Sequence, residues 1–245
     1  MRNNFKEIQI LYEDEALIVC VKPSGVPSQS DKTSDYDMVN RLKNYIYENN
    51  DNNSQPYIGL VHRLDRPVGG VMVFAKNERA LKILNEQIRT GKMNKRYLAV
   101  SDSDDIQQDN QWHNLKDYLL KDAKSNTSSI SNKNNKNAKI SELNYKILEQ
   151  VKESNNIYSL IEVELITGRH HQIRVQLSNK NMALWGDTKY NEDFQKRHPD
   201  LKWANIALFA YRLEFLHPSI NKKVVFENKP SEDIFSQFEF VAANK

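Results

Sequence analysis

Apolar positions along this chain follow two rhythms, one close to every second residue and one close to every third or fourth. Ile8-Gln9-Ile10-Leu11-Tyr12 and Leu17-Ile18-Val19-Cys20-Val21 are short β-rich runs on either side of the acidic turn Glu13-Asp14-Glu15. Lys22-Pro23 closes the second run, because proline cannot donate to a ladder. The pair predicts a hairpin. Met38, Leu42 and Tyr45/Ile46 recur at helical spacing, as do Leu81, Leu84 and Ile88, and the second stripe lies between an N-cap candidate, Asn77, and a stop signal, Gly91. Val71-Met72-Val73-Phe74-Ala75 between them reads as a core strand. Further strands are predicted at 96–100, 143–148, 158–165, 207–215 and 223–226, and a helix over 167–177 with Ile173 and Leu177 on one face. Strands outnumber helices, which predicts an α+β fold on a mixed, largely antiparallel sheet flanked by helices.

Residues 101–139 break both rhythms. Asn, Ser, Asp and Lys dominate there, and 125–137 contains almost nothing suited to a core. The stretch is expected to be a mobile surface loop, and acidic Asp102, Asp104 and Asp105 beside it favour a solvated insertion over an RNA-binding arm. Apart from this insertion the chain reads as a single domain, 1–245.

Composition removes many classes of chemistry. With 39% hydrophobic and 27% charged residues among 245, the chain can bury a core as a soluble globular protein. Its longest apolar run, Ala16 to Val21, is far short of the ~20 residues that cross a bilayer, and no signal-type apolar segment follows Met1-Arg2-Asn3-Asn4-Phe5. A cytoplasmic protein without a membrane partner is expected, read as a monomer. Cys20 is the only cysteine and sits in an apolar run, so it is expected to be a buried thiol; disulfides within the chain and thiolate zinc sites are excluded. The net charge of +3 permits an anionic partner without requiring one. The seven glycines form neither G-x-G-x-x-G nor a P-loop, so no dinucleotide is expected, and no G-x-S-x-G elbow exists. His170 and His171 are adjacent, and on a helix they would point about 100° apart, a poor metal clamp. Neither metal nor cofactor is expected.

Three segments concentrate polar chemistry. Leu60-Val61-His62-Arg63-Leu64-Asp65-Arg66-Pro67-Val68-Gly69-Gly70 packs a histidine, two arginines and a carboxylate between an apolar entry and a Gly-Gly exit, a costly arrangement unless the charges pair. It reads equally as a site or as a turn held by an Arg–Asp pair. Thr167-Gly168-Arg169-His170-His171-Gln172-Ile173-Arg174 places positive charge at the start of the predicted helix, against the helix dipole, a conflict that a carboxylate or phosphate would remove. Lys95-Arg96-Tyr97-Leu98-Ala99-Val100 alternates an aromatic ring with cations, a pattern suited to stacking a base and meeting phosphates, although a strand tyrosine is more often core.

Taken in order, these segments resemble the RluA-type RNA pseudouridine synthases. His62-Arg63-Leu64-Asp65 through Gly69-Gly70 matches the family's H-R-L-D-x-x-x-x-G motif. Lys95-Arg96-Tyr97-Leu98-Ala99 is similar to K-x-Y-x-A, and Gly168 to Val175 to G-R-x-H-Q-I-R-V. Glu13-Asp14 with Lys22-Pro23-Ser24-Gly25, then Gly186-Asp187-x-x-Tyr190, then Ala207-Leu208 and His217-Pro218, extend the likeness over nearly all of the chain outside 101–139. Pro67-Val68-Gly69 stands where many members have a small or Thr-Ser-Gly sequence, and His170 where Thr or Ser is common. About seven residues precede the first strand, too few for the S4-like RNA-binding domain of some relatives.

The resemblance implies a central catalytic cleft and the isomerisation of uridine to pseudouridine in structured RNA, ribosomal or transfer, on a flipped-out base. The N-glycosidic bond breaks, the base turns, and carbon 5 joins the sugar, with nothing consumed. Asp65 is implied as the catalytic carboxylate, Arg174 as the cation keeping it charged, and Tyr97 as the ring stacked on uracil and the base that takes the carbon 5 proton. His62, Arg63, Arg66, Lys95, Arg169, His171 and Gln172 are the expected RNA contacts. The rival readings are a glycosidic hydrolase using Asp65 with Asp187, and a non-catalytic RNA-binding protein or chaperone.

Overall fold

The computed structural model describes residues 8–30, 36–49, 55–103, 106–153, 156–201, 204–231 and 233–242. The segment ahead of the first strand, Asp104 and Asp105 lie outside them. Chain order begins β1 (Gln9–Glu13), β2 (Leu17–Lys22), α1 (Met38–Glu48), β3 (Gly59–Leu60), β4 (Gly69–Ala75) and α2 (Glu78–Arg89). It continues with β5 (Asn94–Ser101), β6 (His113–Asp122), β7 (Thr127–Ser131), β8 (Lys139–Glu153), β9 (Asn156–Leu165), α3 (Gln172–Ser178) and α4 (Phe194–Arg197). Strands β10 (Leu208–Leu216) and β11 (Lys223–Glu227), a 3-10 turn at Asp233–Gln237 and α5 (Glu239–Ala242) follow. This is the α+β class predicted from the apolar rhythms.

Two compact units divide the chain: Met1–Asn94 with Ala210–Asn228, and Lys95–Phe209 with Lys229–Lys245. In the first, strands run in the order β1-β2-β4-β10-β11, with β3 beside β4. The pairings β1–β2, β2–β4, β3–β4 and β10–β11 are antiparallel. Period-two alternation puts Leu17 and Val19 of β2 with Val71, Val73 and Ala75 of β4 in one core, closed by Ala80 and Leu84 of α2 and by Leu213 and Phe215 of β10. The α2 helix starts where the sequence signalled, Asn77 Oδ1 accepting the Ala80 N–H at 2.9 Å. Cys20 is fully buried, and burial pushes its thiol up to about 12. Gly70 has φ +131°, and a Cβ there would lie 2.3 Å from the Ala210 carbonyl oxygen, so only glycine fits between these backbones.

The second unit is built on the order β5-β9-β8-β6-β7, its pairings β5–β9, β9–β8, β8–β6 and β6–β7 all antiparallel. Here the expected loop is corrected. Residues 113–131 form a hairpin, β6 pairing with β8 from His113↔Tyr145 to Leu119↔Lys139, and β7 pairing with β6 from Tyr118↔Ser131 to Asp122↔Thr127. Leu115 and Leu119 are the buried anchors of β6. A ladder is made by backbone groups, so an edge strand of Thr and Ser can join it without apolar side chains. The α3 helix is also shorter than predicted. It starts at Gln172, because His171 takes a left-handed φ of 53°. Arg169 and His170 therefore precede the helix, and the charge conflict foreseen there is confined to Arg174.

Candidate active site

In the first unit, Asp65 stands half-buried on a turn closed by the Val68 N–H donating to the Asp65 carbonyl at 2.9 Å. Its neighbours are pinned on both sides. Ser28 Oγ accepts the Leu64 N–H at 3.1 Å and donates to the Leu64 carbonyl at 2.9 Å. On the other side, Lys22 Nζ donates to the carbonyls of Arg66 at 3.1 Å, Val26 at 2.6 Å and Pro23 at 3.0 Å. The Gly25 N–H donates to the same Arg66 carbonyl, Arg66 Nε to the Gly25 carbonyl, and Ser24 Oγ to the Pro67 carbonyl. Two loops are thus laced together around the carboxylate.

Lys22 is fully buried. Burial lowers its pKa to about 7, with Arg66 and Arg41 adding to the effect and the Asp65 carboxylate opposing it. Lys22 belongs to the Lys22-Pro23-Ser24-Gly25 motif but was not among the expected site residues, although the chain carries a signal for its burial. Alternation along β2 puts it on the face of Ile18 and Cys20, so it enters the interior and needs carbonyls to receive its three protons. Ser28 carries no comparable signal.

His62 accepts the Val73 N–H through Nε2 at 3.2 Å, so one side of its ring supports β4. Arg63 and Arg66 are exposed beside Asp65.

In the second unit, Tyr97 lies on β5 opposite Val163 and is buried. Lys95, two residues earlier, has its pKa lowered by burial. Arg174 in the first turn of α3 holds Asp187 through two parallel hydrogen bonds, Nε to Oδ2 and Nη2 to Oδ1, both 2.7 Å, with both side chains buried. Asp187 Oδ1 also accepts the Lys189 N–H at 3.1 Å. Gly186, at φ +76°, makes the turn that delivers this carboxylate. An aspartate enclosed and chelated in this way is poorly placed for the second-carboxylate role in glycoside hydrolysis. Its role as Arg174's anchor was not legible from spacing.

Tyr190 lies under the same guanidinium, its ring centroid 4.9 Å from Arg174 Cζ. Its hydroxyl accepts the Ser128 N–H at 2.8 Å and meets His171 Nδ1 at 2.7 Å. His171 is buried, and burial first, then the charges of Arg174, His170, Lys189 and Lys121, bring its pKa down to about 3, so the ring is neutral at physiological pH. His170 stacks on it at 3.8 Å and bonds Ser128 Oγ and Asn126 Oδ1 on the β6–β7 hairpin. Gln172, expected at the RNA, is turned inward: its Oε1 accepts from Thr167 Oγ1 and the Arg169 N–H, and its Nε2 donates to the Glu142 carbonyl. Arg169 is exposed, with Nε donating to the Ile140 carbonyl.

The model of the RNA pseudouridylate synthase family matches residues 16–179, and the chain belongs to this family. Among curated proteins it is 31% identical over 235 residues to the ribosomal large subunit pseudouridine synthase C of Buchnera aphidicola, covering 92% of this chain and 68% of that protein. It is 30% identical to the protein of the same name from Haemophilus influenzae, over 90% of this chain and 64% of that one. The chain thus spans about two thirds of the length of these two relatives. A tRNA pseudouridine synthase C of Haemophilus ducreyi is 29% identical, with 95% and 96% of the two chains aligned. The solved structure of human RNA pseudouridylate synthase domain containing 4 shares the fold, with a TM-score of 0.75, 21% identity, and 93% of this chain and 90% of that one covered.

Proposed function

We propose that this protein isomerises uridines in structured ribosomal or transfer RNA to pseudouridine, with Asp65 as the catalytic carboxylate. The observation that carries the reading is the presentation of Asp65: inside the family match, its turn is fixed from both sides by the buried groups of Lys22 and Ser28. Such fixing suits covalent or ion-pair catalysis, where a reacting carboxylate must be held within fractions of an ångström. Tyr97 is the stacking ring and the acceptor of the carbon 5 proton, and Arg174 the guanidinium of the reaction. Arg63, Arg66, Lys95, Arg169 and His171 contact RNA, and extrusion of the target base costs a few kcal/mol, less for a loop nucleotide. The chain works without cofactor or metal, as a single catalytic domain and as a cytoplasmic monomer. No helix among the described residues is long and apolar enough to cross a membrane.

The test is Asp65→Asn assayed on ribosomal and transfer RNA. Pseudouridine formation should vanish while RNA affinity stays within a few-fold, because the amide keeps the shape but is no nucleophile. Turnover above about a hundredth of the parental rate would refute the assignment. Release of free uracil by the parent would instead identify a hydrolase, and RNA binding without any isomer a binding protein.

A further inference from the structure

Tyr190 lies at the crossing of three elements of the second unit, and its bonds have a consequence for tautomer chemistry. A phenol oxygen has one proton and, in the plane of its ring, one good acceptor direction. The backbone N–H of Ser128, on edge strand β7, occupies the acceptor direction at 2.8 Å. The phenol proton is then left for His171 Nδ1 at 2.7 Å, which must accept it, so that the histidine proton resides on Nε2. The Tyr190 ring backs the Arg174 guanidinium, and Ser178 Oγ donates to the Tyr190 carbonyl at 2.6 Å, tying the residue to the end of α3.

We propose that Tyr190 is a positioning residue for the isomerisation, acting through His171 and Arg174: its hydroxyl, oriented by the Ser128 N–H, locks His171 as the Nε2–H tautomer, while its ring supports the guanidinium. The proposal rests on the synthase reading of this chain. It makes the β6–β7 hairpin part of the active-site scaffold, because the hairpin's backbone sets the direction of the tyrosine proton. Among the described residues, the positive or protonatable groups Arg174, His170, Lys189 and Lys121 act on His171 by charge. All of them disfavour its protonation, and the tyrosine proton adds to this by occupying Nδ1.

The test compares full-length parent, Tyr190→Phe and Ser128→Ala, with the histidine ring nitrogens observed by 15N NMR beside single-turnover kinetics. In the parent, His171 should appear as the pure Nε2–H form from pH 5 to 8. Tyr190→Phe should mix the two tautomers and lower kcat about tenfold or more with KM changed less than about threefold, as expected when orientation rather than binding is lost. Ser128→Ala keeps the backbone donor and removes only the bond to His170, so the His171 tautomer should survive. An Nδ1–H tautomer in the parent, an unchanged tautomer and kcat in Tyr190→Phe, or equal scrambling by Ser128→Ala would each overturn the proposal. A parent that makes no pseudouridine would sink the synthase reading separately, because the NMR comparison reads the lock without turnover.

Discussion

Arg174 and Asp187 form a buried fork, two hydrogen bonds of 2.7 Å from Nε and Nη2 to the two carboxylate oxygens, which fixes the plane of the guanidinium against the turn that follows Gly186. A planar fork is what separates arginine from lysine at such a place. Arg174→Lys should therefore lower turnover at least tenfold although charge is kept, and lower the melting temperature by several degrees, since a lost buried hydrogen bond costs on the order of 1–3 kcal/mol. Turnover and thermal unfolding both near the parental values would show that the fork has no role.

Tyr97→Phe keeps the ring on β5 and removes the hydroxyl. RNA binding should persist while product formation drops by about 10²–10⁴-fold, the usual contribution of a positioned base. Single-turnover kinetics beside a binding titration make the distinction. A phenylalanine variant that isomerises at the parental rate would reduce Tyr97 to a stacking platform.

Lys22→Met should loosen the Asp65 turn, because three carbonyls lose their donor. A pH signature identifies the lysine. Its pKa is about 7 in the fold and about 10.4 when unfolded, so between these values the unfolded chain holds a proton that the folded chain has lost. Parental stability should thus rise with pH through that window, and the cost of burying the ammonium is at its full value below about pH 7. Urea unfolding at pH 7 and 9.5 should show the parent gaining on Lys22→Met as pH rises. The opposite slope would mean a solvated ammonium.

Replacing 125–137 by a brief linker should lower both melting temperature and activity. The hairpin gives up its bonds to Tyr190, His170 and Lys189, and each lost bond is worth about 0.5–1.5 kcal/mol. Thermal unfolding and turnover of that variant decide whether the segment is scaffold or decoration; unchanged values would restore the decorative reading.

Most of the architecture was legible in the chain because its signals are local. The alternation of 17–21 and 71–75, the stripe of Leu81, Leu84 and Ile88, and the cap at Asn77 are each decided within a few residues, and the structure places strands and helix there. The motif around Asp65 was legible for the same reason, since its residue types lie within five positions. The β6–β7 hairpin was not. Its strands are specified by backbone pairing with β8, which a polar sequence does not advertise.

What the sequence determined by itself, then, was the α+β class and the placing of the strands and helix whose signals are local, such as 17–21, 71–75 and the helix after Asn77. Tertiary structure alone decided which distant groups are partners: Lys22 against the Arg66 carbonyl, forty-four positions away, Asp187 against Arg174, and Ser128 against Tyr190, sixty-two positions away. Periodicity reports which face of an element is buried, and hydrogen bonds between distant loops depend on where the chain brings those faces together. That is why His62 and Gln172, read along the chain as RNA contacts, proved to be bonded within their own units, and why a lysine at the end of a strand proved to lie beneath the proposed catalytic turn.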